Sequence, residues 1–421
     1  MNVIKAIRIL GTSYPIPSQS DAKLILDVTA QIAAEDSKRA AKGQSPLVRK
    51  TPKGVPQLHG HLELRPSEVL HHLARSIPQQ PFMGTFLRMM NWADVKYIGM
   101  FAEHADSQGV KRLRLDALAD RYRGNMRRIL SEELGVGFGQ AVAEKWVLAR
   151  YPQASGIMFA DVDTVLGDGT VPGLTQVGQR RPDYVVRFSP SSASGSIRHL
   201  LVECKGASDE QQVHGQLARA MSQLVTITCN GNALSGLAVS NVSTSGGVNI
   251  YAVDPEGEEP ELKISEFEQG AGYLSLLEDV EGVVYGVEGP RQLSAFSGQA
   301  ISSLAEFAGS FDAADRWMSI PRQVAEIPEQ VTVDTSAGSF VGAEIEFRDR
   351  ESKLRLNVFR GVEAGVHHAI ASGGFDDVAS TQAEFSNNTG RSDISIAHDD
   401  VLEPVISTLS DGSCLIVRVT H

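Results

Sequence analysis

The sequence predicts an α/β protein, with an α/β core between a mostly helical N-terminal region and an α+β C-terminal domain. Helix-like and strand-like apolar patterns alternate over residues 125–255, which is typical of an α/β core. Hydrophobic residues form 42% and charged residues 21% of the chain, the composition of a protein that buries a sizeable core. At 421 residues, the chain is longer than one ordinary domain. We therefore predict three portions: residues 1–124, 125–255 and 256–421.

The composition also excludes some classes of protein. No uninterrupted apolar run of about 18 residues occurs, so we expect no membrane span. The three cysteines, Cys204, Cys229 and Cys414, have no paired spacing. A disulfide framework or a zinc site is therefore not expected, and a cytoplasmic location is favoured.

The first portion is expected to begin with a strand and to continue mainly as helices. Apolar residues fill most of positions 1–10, although Lys5 and Arg8 interrupt them. Helical spacing and end signals then predict these elements in order: a helix from Asp21 to about Ala41, a mobile basic loop over residues 43–60, and a helix from Pro66 to Ser76.

Charge is distributed unevenly along the chain, whose net charge is −12. Residues 1–150 contain 22 Lys and Arg against 14 Asp and Glu, whereas residues 256–421 contain 11 against 29. The densest basic stretch lies at residues 111–128 and includes Arg121, Arg123, Arg127 and Arg128. Such a stretch is either an ordinary solvated face or a surface that contacts the phosphates of nucleic acid.

The second portion is predicted to fold as a helix, three strands, a helix and a strand. Glycines 135, 137 and 139 are interpreted as a loop that leads into the first helix. The elements are expected in this order: a helix over about residues 138–151, a strand over 157–163, a strand opened by Pro182-Asp183, a strand closed by Glu203-Cys204-Lys205, a helix over about 209–225, and strands over 237–242 and 248–253.

Three ionisable residues are predicted to converge where the second and third of these strands lie side by side. Asp183 opens one strand, and Glu203 and Lys205 close the next. Because side chains alternate along a strand, Glu203 and Lys205 share one face while Cys204 points to the other. Two carboxylates beside a lysine suit a divalent cation, since Mg²⁺ takes one or two carboxylates and completes its shell with water and phosphate oxygens.

Pro182-Asp183 and Glu203-Cys204-Lys205, on adjacent strands and followed by a helix, resemble the two motifs of the PD-(D/E)XK nuclease superfamily. The resemblance covers about residues 125–255 and implies a restriction-endonuclease-like α/β core. It implies a metal-dependent hydrolysis of phosphodiester bonds, with DNA favoured over RNA and with endonucleolytic cleavage. Defence against foreign DNA is a role that the superfamily offers by analogy.

The resemblance also implies roles for individual residues. Asp183 and Glu203 would hold Mg²⁺, or Mn²⁺ in its place, helped by the backbone carbonyl of Cys204. Lys205 would orient a water molecule or neutralise charge on the phosphate. In this superfamily a helix before the first strand often adds an acidic residue, for which Glu144 is the best-placed candidate.

Glutamines on the later helix are candidates for contacts with the nucleic-acid backbone. Gln212 and Gln216 recur at roughly helical spacing. Exonuclease-like branches of the superfamily carry a Gln followed four residues later by Tyr. Here Ala220 follows Gln216, so that signature is broken and membership of those branches is not supported.

Two alternatives to a nuclease stay open. A catalytically idle module of the same fold would bind nucleic acid or assemble with a protein partner. In the other alternative the motif is accidental, and Asp183 and Glu203 pair with arginines such as Arg181, Arg187 or Arg198 in an ordinary sheet.

The third portion, residues 256–421, is acidic and carries patterns of both helix and strand. A helix is predicted over residues 298–308, and strands are predicted over residues 330–333, 340–347, 354–359 and 414–419. The acidic charge suits a protein partner, or a mask that covers the basic surface until a target displaces it. A homo-oligomer is also open.

Overall fold

The computed structural model describes residues 3–76, 96–168, 171, 173–191, 196–255, 257, 261–263, 330–348, 355–372, 375–388 and 404–420. The helix predicted over residues 298–308 and most of the acidic stretch after Pro255 lie outside these ranges. No helix in the described ranges is both long and apolar enough to cross a bilayer. The architecture is mixed α/β, as the sequence predicts.

Helices and strands follow one another along the whole described chain. In chain order they are α1 (Val3–Gly11), β1 (Tyr14–Gln19), α2 (Ala22–Ala40), β2 (Pro52–Lys53), β3 (Gly60–Leu64), α3 (Pro66–Ser76), β4 (Phe101–Ala105), β5 (Lys111–Leu115), α4 (Gly124–Arg150), β6 (Ser155–Asp161), α5 (Val162–Asp168), β7 (Leu174–Gln176), β8 (Tyr184–Ser189), β9 (Ser196–Ala207), α6 (Val213–Gln223), β10 (Ile227–Cys229), β11 (Asn232–Ala233), β12 (Gly236–Thr244), β13 (Gly247–Pro255), β14 (Glu261–Lys263), β15 (Gln330–Thr335), β16 (Gly338–Arg348), β17 (Arg355–Glu363), α7 (Ala364–Ser372), α8 (Phe375–Asn388), β18 (Val405–Thr408) and β19 (Ser413–Thr420).

A mixed sheet of nine strands, counted over the described residues, forms the centre of the molecule. Seven strands run in the order β3-β1-β13-β12-β9-β8-β6, while β2 pairs with β13 and β14 pairs with β9. β8 is antiparallel to both of its neighbours, β6 and β9, while β12 is parallel to β9 and β1 is parallel to β13. The motif residues are therefore at the ends of two interior strands, since β8 and β9 each have a strand on both sides.

Helices cover both faces of this sheet and bury its apolar side chains. On one face, Phe138 and Val142 of α4 pack in the same cluster as Leu200 and Val202 of β9. On the other face, α6 packs against Leu201 of β9 and lies against α2. β9 is thus buried on both faces, as expected for a strand in the centre of an α/β sheet.

The N-terminal portion differs from the prediction of an initial strand followed mainly by helices. Residues Val3–Gly11 form a helix, because Lys5 and Arg8 are three positions apart and share its outer face while Ile7 and Leu10 are buried. β1 and β3 extend the central sheet, so this portion contributes strands as well as helices. The division of the chain into three domains stays a prediction.

Two capping signals in this portion are confirmed. The loop predicted between these two helices, however, is anchored to the rest of the protein at one residue. Asp21 caps α2, where its Oδ1 accepts the backbone N–H of Leu24 at 3.0 Å, and Pro66 is the first residue of α3. In the predicted basic loop over residues 43–60, however, Lys50 is buried, and its ammonium donates to the carbonyl of Leu234.

The glycines at positions 135, 137 and 139 lie inside α4 rather than in a loop before it. Their role is to let the helix approach the sheet. A Cβ on Gly135 would overlap the backbone of Gly206, and one on Gly139 would lie 2.5 Å from Cys204 Sγ. The interpretation of a loop was wrong, because glycine here provides close packing and does not mark a turn.

The C-terminal portion contains a five-stranded antiparallel sheet in the order β15-β16-β17-β19-β18. The strand predictions over residues 330–333, 340–347, 354–359 and 414–419 are confirmed within β15, β16, β17 and β19, except that residue 354 lies outside the described residues. One face of this sheet joins the main core, since Val358, Val362, Leu415 and Val417 belong to the same apolar cluster as residues of α3 and α4.

Candidate active site

Asp183 and Glu203 are brought together by the pairing of β8 with β9. Tyr184 at the start of β8 pairs with Val202, which places Asp183 beside Glu203. The backbone N–H of Asp183 donates to Glu203 Oε2 at 2.9 Å, and the backbone N–H of Cys204 donates to Asp183 Oδ2 at 2.9 Å. Each carboxylate is therefore oriented by the backbone of the strand that carries its neighbour.

Lys205 joins the two carboxylates. Its ammonium forms an ion pair with Glu203 Oε1 and lies 4.0 Å from Asp183 Oδ2. The side chain of Glu203 is 0% exposed, whereas those of Lys205 and Asp183 are 24% and 34% exposed. The site is thus a buried carboxylate at its base with a carboxylate and an ammonium at its opening.

The site occupies the face of the sheet covered by α6. Cys204 points to the opposite face, where its side chain contacts Gly139 of α4. Because successive side chains of a strand alternate, Glu203 and Lys205 face away from α4. Burial, with the charges of Asp183 and Glu203 beside it, raises the pKa of the Cys204 thiol well above its usual range, which favours the protonated thiol at neutral pH.

Burial dominates the electrostatics of the two carboxylates. Burial, strengthened by the charge of Asp183, raises the pKa of Glu203 to about 8, although Lys205 acts in the opposite direction. Burial also raises the pKa of Asp183. Burial alone would lower the pKa of Lys205, but the charges of Glu203 and Asp183 outweigh it and raise that pKa. Lys205 therefore stays protonated, and the site favours one negative charge on the two carboxylates over two.

The donor set fits a hard divalent cation, although its protein ligands are few. Two adjacent carboxylates supply oxygen atoms, and Mg²⁺ is commonly held by one or two carboxylates together with water and substrate phosphates. In the part of the chain that the structure describes, no group of three or more His, Cys, Asp or Glu side chains is arranged to hold a metal ion. A cation at Asp183 and Glu203 would therefore depend on non-protein ligands.

Glu144 is not brought to this site, contrary to the expectation from the sequence. It lies on α4, on the other side of the sheet, and its carboxylate accepts His72 Nε2 at 2.8 Å and the backbone N–H of Ser410 at 3.3 Å. Burial alone would raise the pKa of Glu144, but these bonds and the charge of His72 lower it to about 2. Glu144 therefore links α4 to α3 through His72 and to the turn between β18 and β19 through Ser410.

Asp161 is a nearby carboxylate that reasoning from the sequence missed. It is the last residue of β6 and pairs with Tyr184, and its charge contributes to raising the pKa of Asp183. The available signal was an acidic residue near the end of the first predicted strand, two positions before its last residue. That signal carried no weight without knowing that β6 lies next to the start of β8.

The four arginines predicted to bind nucleic acid, Arg121, Arg123, Arg127 and Arg128, lie at the same end of the sheet as Lys205. They are at or near the start of α4, and the carbonyl of Ser131 in that helix faces Gly206, the residue after Lys205. Arg121, Arg123 and Arg128 are exposed, and Arg127 is half-buried. Arg128 pairs with Glu132 at 3.7 Å, while Arg127 donates to the carbonyl of Ala119 at 3.3 Å.

The two glutamines occupy different environments. Gln216 donates to the carbonyl of Gly206 at 2.9 Å and accepts the hydroxyl of Ser240 at 2.7 Å, so it ties α6 to the end of β9 and to the middle of β12. Gln212 is exposed just before α6. Contact with nucleic acid stays a prediction for both residues, and the structure adds a positioning role for Gln216.

The alternative in which Asp183 and Glu203 pair with arginines does not agree with the contacts that these two carboxylates make. Lys205 is the partner of both carboxylates. Arg181 pairs with Asp163 at 2.5 Å, and Arg198 donates to the hydroxyl of Tyr151 at 2.6 Å. Arg187 is buried in β8 opposite His199.

Comparison of the chain with protein-family models, with curated proteins and with solved structures finds no match.

Proposed function

We propose that this protein is a metal-dependent nuclease that hydrolyses phosphodiester bonds at Asp183, Glu203 and Lys205, with DNA as the favoured substrate. The observation that carries the proposal is the junction of β8 and β9, where two carboxylates and an ammonium meet at a partly exposed site. Two carboxylates and a lysine at adjacent strand ends are the residue types that cation-assisted phosphoryl chemistry uses.

The order of elements around the site supports a restriction-endonuclease-like core. Helix α4 precedes the antiparallel strands β6, β8 and β9, and α6 leads to β12, which is parallel to β9. This is the order of helix, three strands, helix and strand that the resemblance implies. The short strand β7 between β6 and β8 pairs with β10 in a separate small sheet and does not interrupt the order.

The three residues would divide the chemistry among them. Asp183 and Glu203 would hold Mg²⁺, or Mn²⁺ in its place, and the ion when bound polarises the scissile phosphate. Lys205 lies beside both carboxylates. From this position it would orient the attacking water and neutralise charge that develops on the phosphate oxygens. Backbone donors from Asp183 and Cys204 keep the carboxylates in place throughout.

The exposed arginines near the start of α4 would bind the substrate backbone. Arg121, Arg123 and Arg128 lie at the end of the sheet where Lys205 opens to solvent. Phosphate contacts position a nucleic acid without reading its sequence. We expect these arginines to determine affinity and its dependence on salt, whereas the motif residues determine the rate of hydrolysis.

Incubation of the purified protein with plasmid DNA and Mg²⁺, and in parallel with Mn²⁺, tests the proposal. We expect the parent protein to cleave the plasmid and the Asp183→Ala and Lys205→Ala variants to lose at least about 100-fold in rate. Lys23→Ala, a change at an exposed lysine of α2, serves as the matched control. Folded variants that cleave as fast as the parent would overturn the assignment of the site.

A second candidate is a catalytically idle module that binds nucleic acid or assembles with a protein partner. The complete burial of Glu203 favours it, because both of its carboxylate oxygens already have partners within the protein. Nucleic-acid binding that is unchanged in Asp183→Ala, with no cleavage by the parent protein in either metal, would select this second candidate.

A further inference from the structure

One side of helix α6 borders the site just described and is bonded to the backbone on both sides of it. Gln216 donates to the carbonyl of Gly206, near the end of β9, at 2.9 Å. Gln223 donates to the carbonyl of Arg181, two residues before Asp183, at 2.8 Å. The two glutamines are nearly two helical turns apart, so they lie on the same side of α6. This side of the helix therefore spans the opening between the ends of β8 and β9.

Arg219 lies between these two glutamines on the surface of α6. It follows Gln216 by one helical turn and precedes Gln223 by another, which is the spacing of neighbouring side chains on a helix. Its side chain is exposed. In the part of the chain that the structure describes, the guanidinium of Arg219 has no hydrogen-bond or ion-pair partner. Arg219 therefore presents an uncompensated positive charge beside the opening of the site.

Two carboxylates on elements next to α6 already have charged partners. Glu35 lies on α2, which packs against α6, and it pairs with Arg49 at 3.0 Å. Asp163 lies on α5 and pairs with Arg181 at 2.5 Å. Neither carboxylate is therefore available to neutralise Arg219, which keeps its charge for a ligand from outside the protein.

A second arginine borders the same opening. Arg180, three residues before Asp183, is exposed and donates to Ser222 Oγ at 2.8 Å. Ser222 is one helical turn beyond Arg219 on α6, and its hydroxyl is neutral, so Arg180 also keeps its charge. With the ammonium of Lys205, these two arginines make the rim of the site positive. A positive rim that is open to solvent attracts a polyanion such as the backbone of nucleic acid.

We propose that Arg219 binds the backbone phosphate that lies at the opening of this site, which makes it a further catalytic residue of the proposed hydrolysis. The planar guanidinium presents paired N–H donors that match the oxygens of a phosphate. In that position Arg219 stabilises negative charge that develops on the phosphate oxygens, together with Lys205. The inference rests on the proposed function for the position of the substrate. It gives Arg219 a role in the rate, whereas the arginines near the start of α4 act on affinity.

Cleavage of plasmid DNA at saturating DNA concentration tests the catalytic role. We expect Arg219→Ala to lower kcat about 100-fold, the size of effect that follows the removal of one transition-state donor. Arg219→Lys keeps the charge but not the planar fork, and it should lose less. Arg8→Ala, which removes an exposed arginine of α1, is the matched control and should cleave at the parent rate. A kcat for Arg219→Ala equal to that of the parent would overturn the proposal.

Two further measurements distinguish a contact with phosphate from a structural role. Added guanidinium ions should restore part of the rate of Arg219→Ala, whereas sodium chloride at the same ionic strength should not. A loss that guanidinium does not reverse is structural and contradicts the proposal. Binding of a short DNA duplex is also measured in EDTA over a range of salt concentrations. Loss of one phosphate contact lowers the slope of log K against log salt by about 0.9, and we expect this change in Arg219→Ala but not in Arg8→Ala.

The outcome separates this inference from the proposed nuclease activity. Cleavage by the parent protein, with kcat and salt slope unchanged in Arg219→Ala, leaves the nuclease intact and removes the arginine contact. A smaller slope in Arg219→Ala with an unchanged kcat places the contact away from the cleaved phosphate and overturns the catalytic role. A smaller slope without cleavage by the parent protein in either metal keeps the phosphate contact and removes the nuclease. Absence of DNA binding by the parent protein overturns both.

Discussion

Asp183 donates its backbone N–H to the buried carboxylate of Glu203 at 2.9 Å, so the two acidic residues of the site are joined directly. Cys204 completes the link by donating its own N–H to Asp183 at 2.9 Å. The carboxylates are thus held by the backbones of two central strands rather than by mobile loops. This arrangement supports a pre-organised site, and it has measurable consequences for stability.

The pH dependence of stability should report on Glu203. Its pKa is raised from 4.5 to about 8, so the folded state binds this proton more tightly than the unfolded state. In metal-free buffer, we expect this group to lower the free energy of unfolding as pH rises from about 4.5 to 8, by up to about 1.4 kcal/mol per pH unit. Urea unfolding at several pH values should show a smaller slope for Glu203→Gln. Identical slopes for the two proteins would contradict the assigned pKa.

Glu144 should produce the opposite dependence at lower pH. Its pKa is lowered from 4.5 to about 2, so the stabilisation is complete above about pH 4.5 and is lost as pH falls towards 2. We expect Glu144→Gln to remove a contribution on the order of 3 kcal/mol at neutral pH and to weaken the acid dependence. The same variant, where folded, should keep its cleavage rate. A selective loss of cleavage with unchanged stability would return Glu144 to the active site.

Close packing between α4 and β9 should make Gly139 intolerant of a side chain. A Cβ there would lie 2.5 Å from Cys204 Sγ. We expect Gly139→Ala to destabilise the protein by about 1–3 kcal/mol, as overpacking of a core does, and Cys204→Ala to relieve part of that loss in the double variant. Gly99→Ala, where a Cβ meets no atom within 4 Å, is the control. Additive effects of the two changes would show that the side chains do not collide.

The buried ion pair between Arg75 and Asp411 should anchor the C-terminal sheet. Asp411 is 0% exposed, and its other oxygen accepts the backbone N–H of Ser413 at 2.9 Å. We expect Asp411→Asn to cost about 3–5 kcal/mol, because it removes the charge of one partner from a buried ion pair. Glu346→Gln, which breaks an exposed pair with Arg355, should cost less than about 1 kcal/mol. Thermal or urea unfolding of both variants makes the comparison.

The C-terminal sheet packs against the main core, and this changes how the mask hypothesis can be tested. In that hypothesis the acidic portion covers the basic surface until a target displaces it. Val358 and Leu415 belong to the core that α3 and α4 share. Deletion of residues 330–420 is therefore expected to unfold the protein rather than release its activity. A truncation that stays folded and cleaves faster than the full chain would support the mask.

Features that depend on neighbouring residues are already set by the amino-acid sequence. Period-two alternation at Glu203, Cys204 and Lys205 is a local property of one strand, and the cap at Asp21 needs only the three residues that follow it. The short connection between β8 and β9 made their pairing predictable too. The order β6, β8, β9, α6, β12 and β13 likewise follows from the apolar pattern and the turn residues, whereas α5, β7, β10 and β11 were not predicted.

Relationships between distant parts of the chain, in contrast, depend on the tertiary fold. Glu144 finds Ser410 across 266 positions, and β1 pairs in parallel with β13 more than two hundred residues later. The role of Gly139 likewise depends on the strand that passes beside it. Periodicity records which face of an element is buried but not which element buries it, because apolar burial is non-directional and many partners satisfy the same pattern.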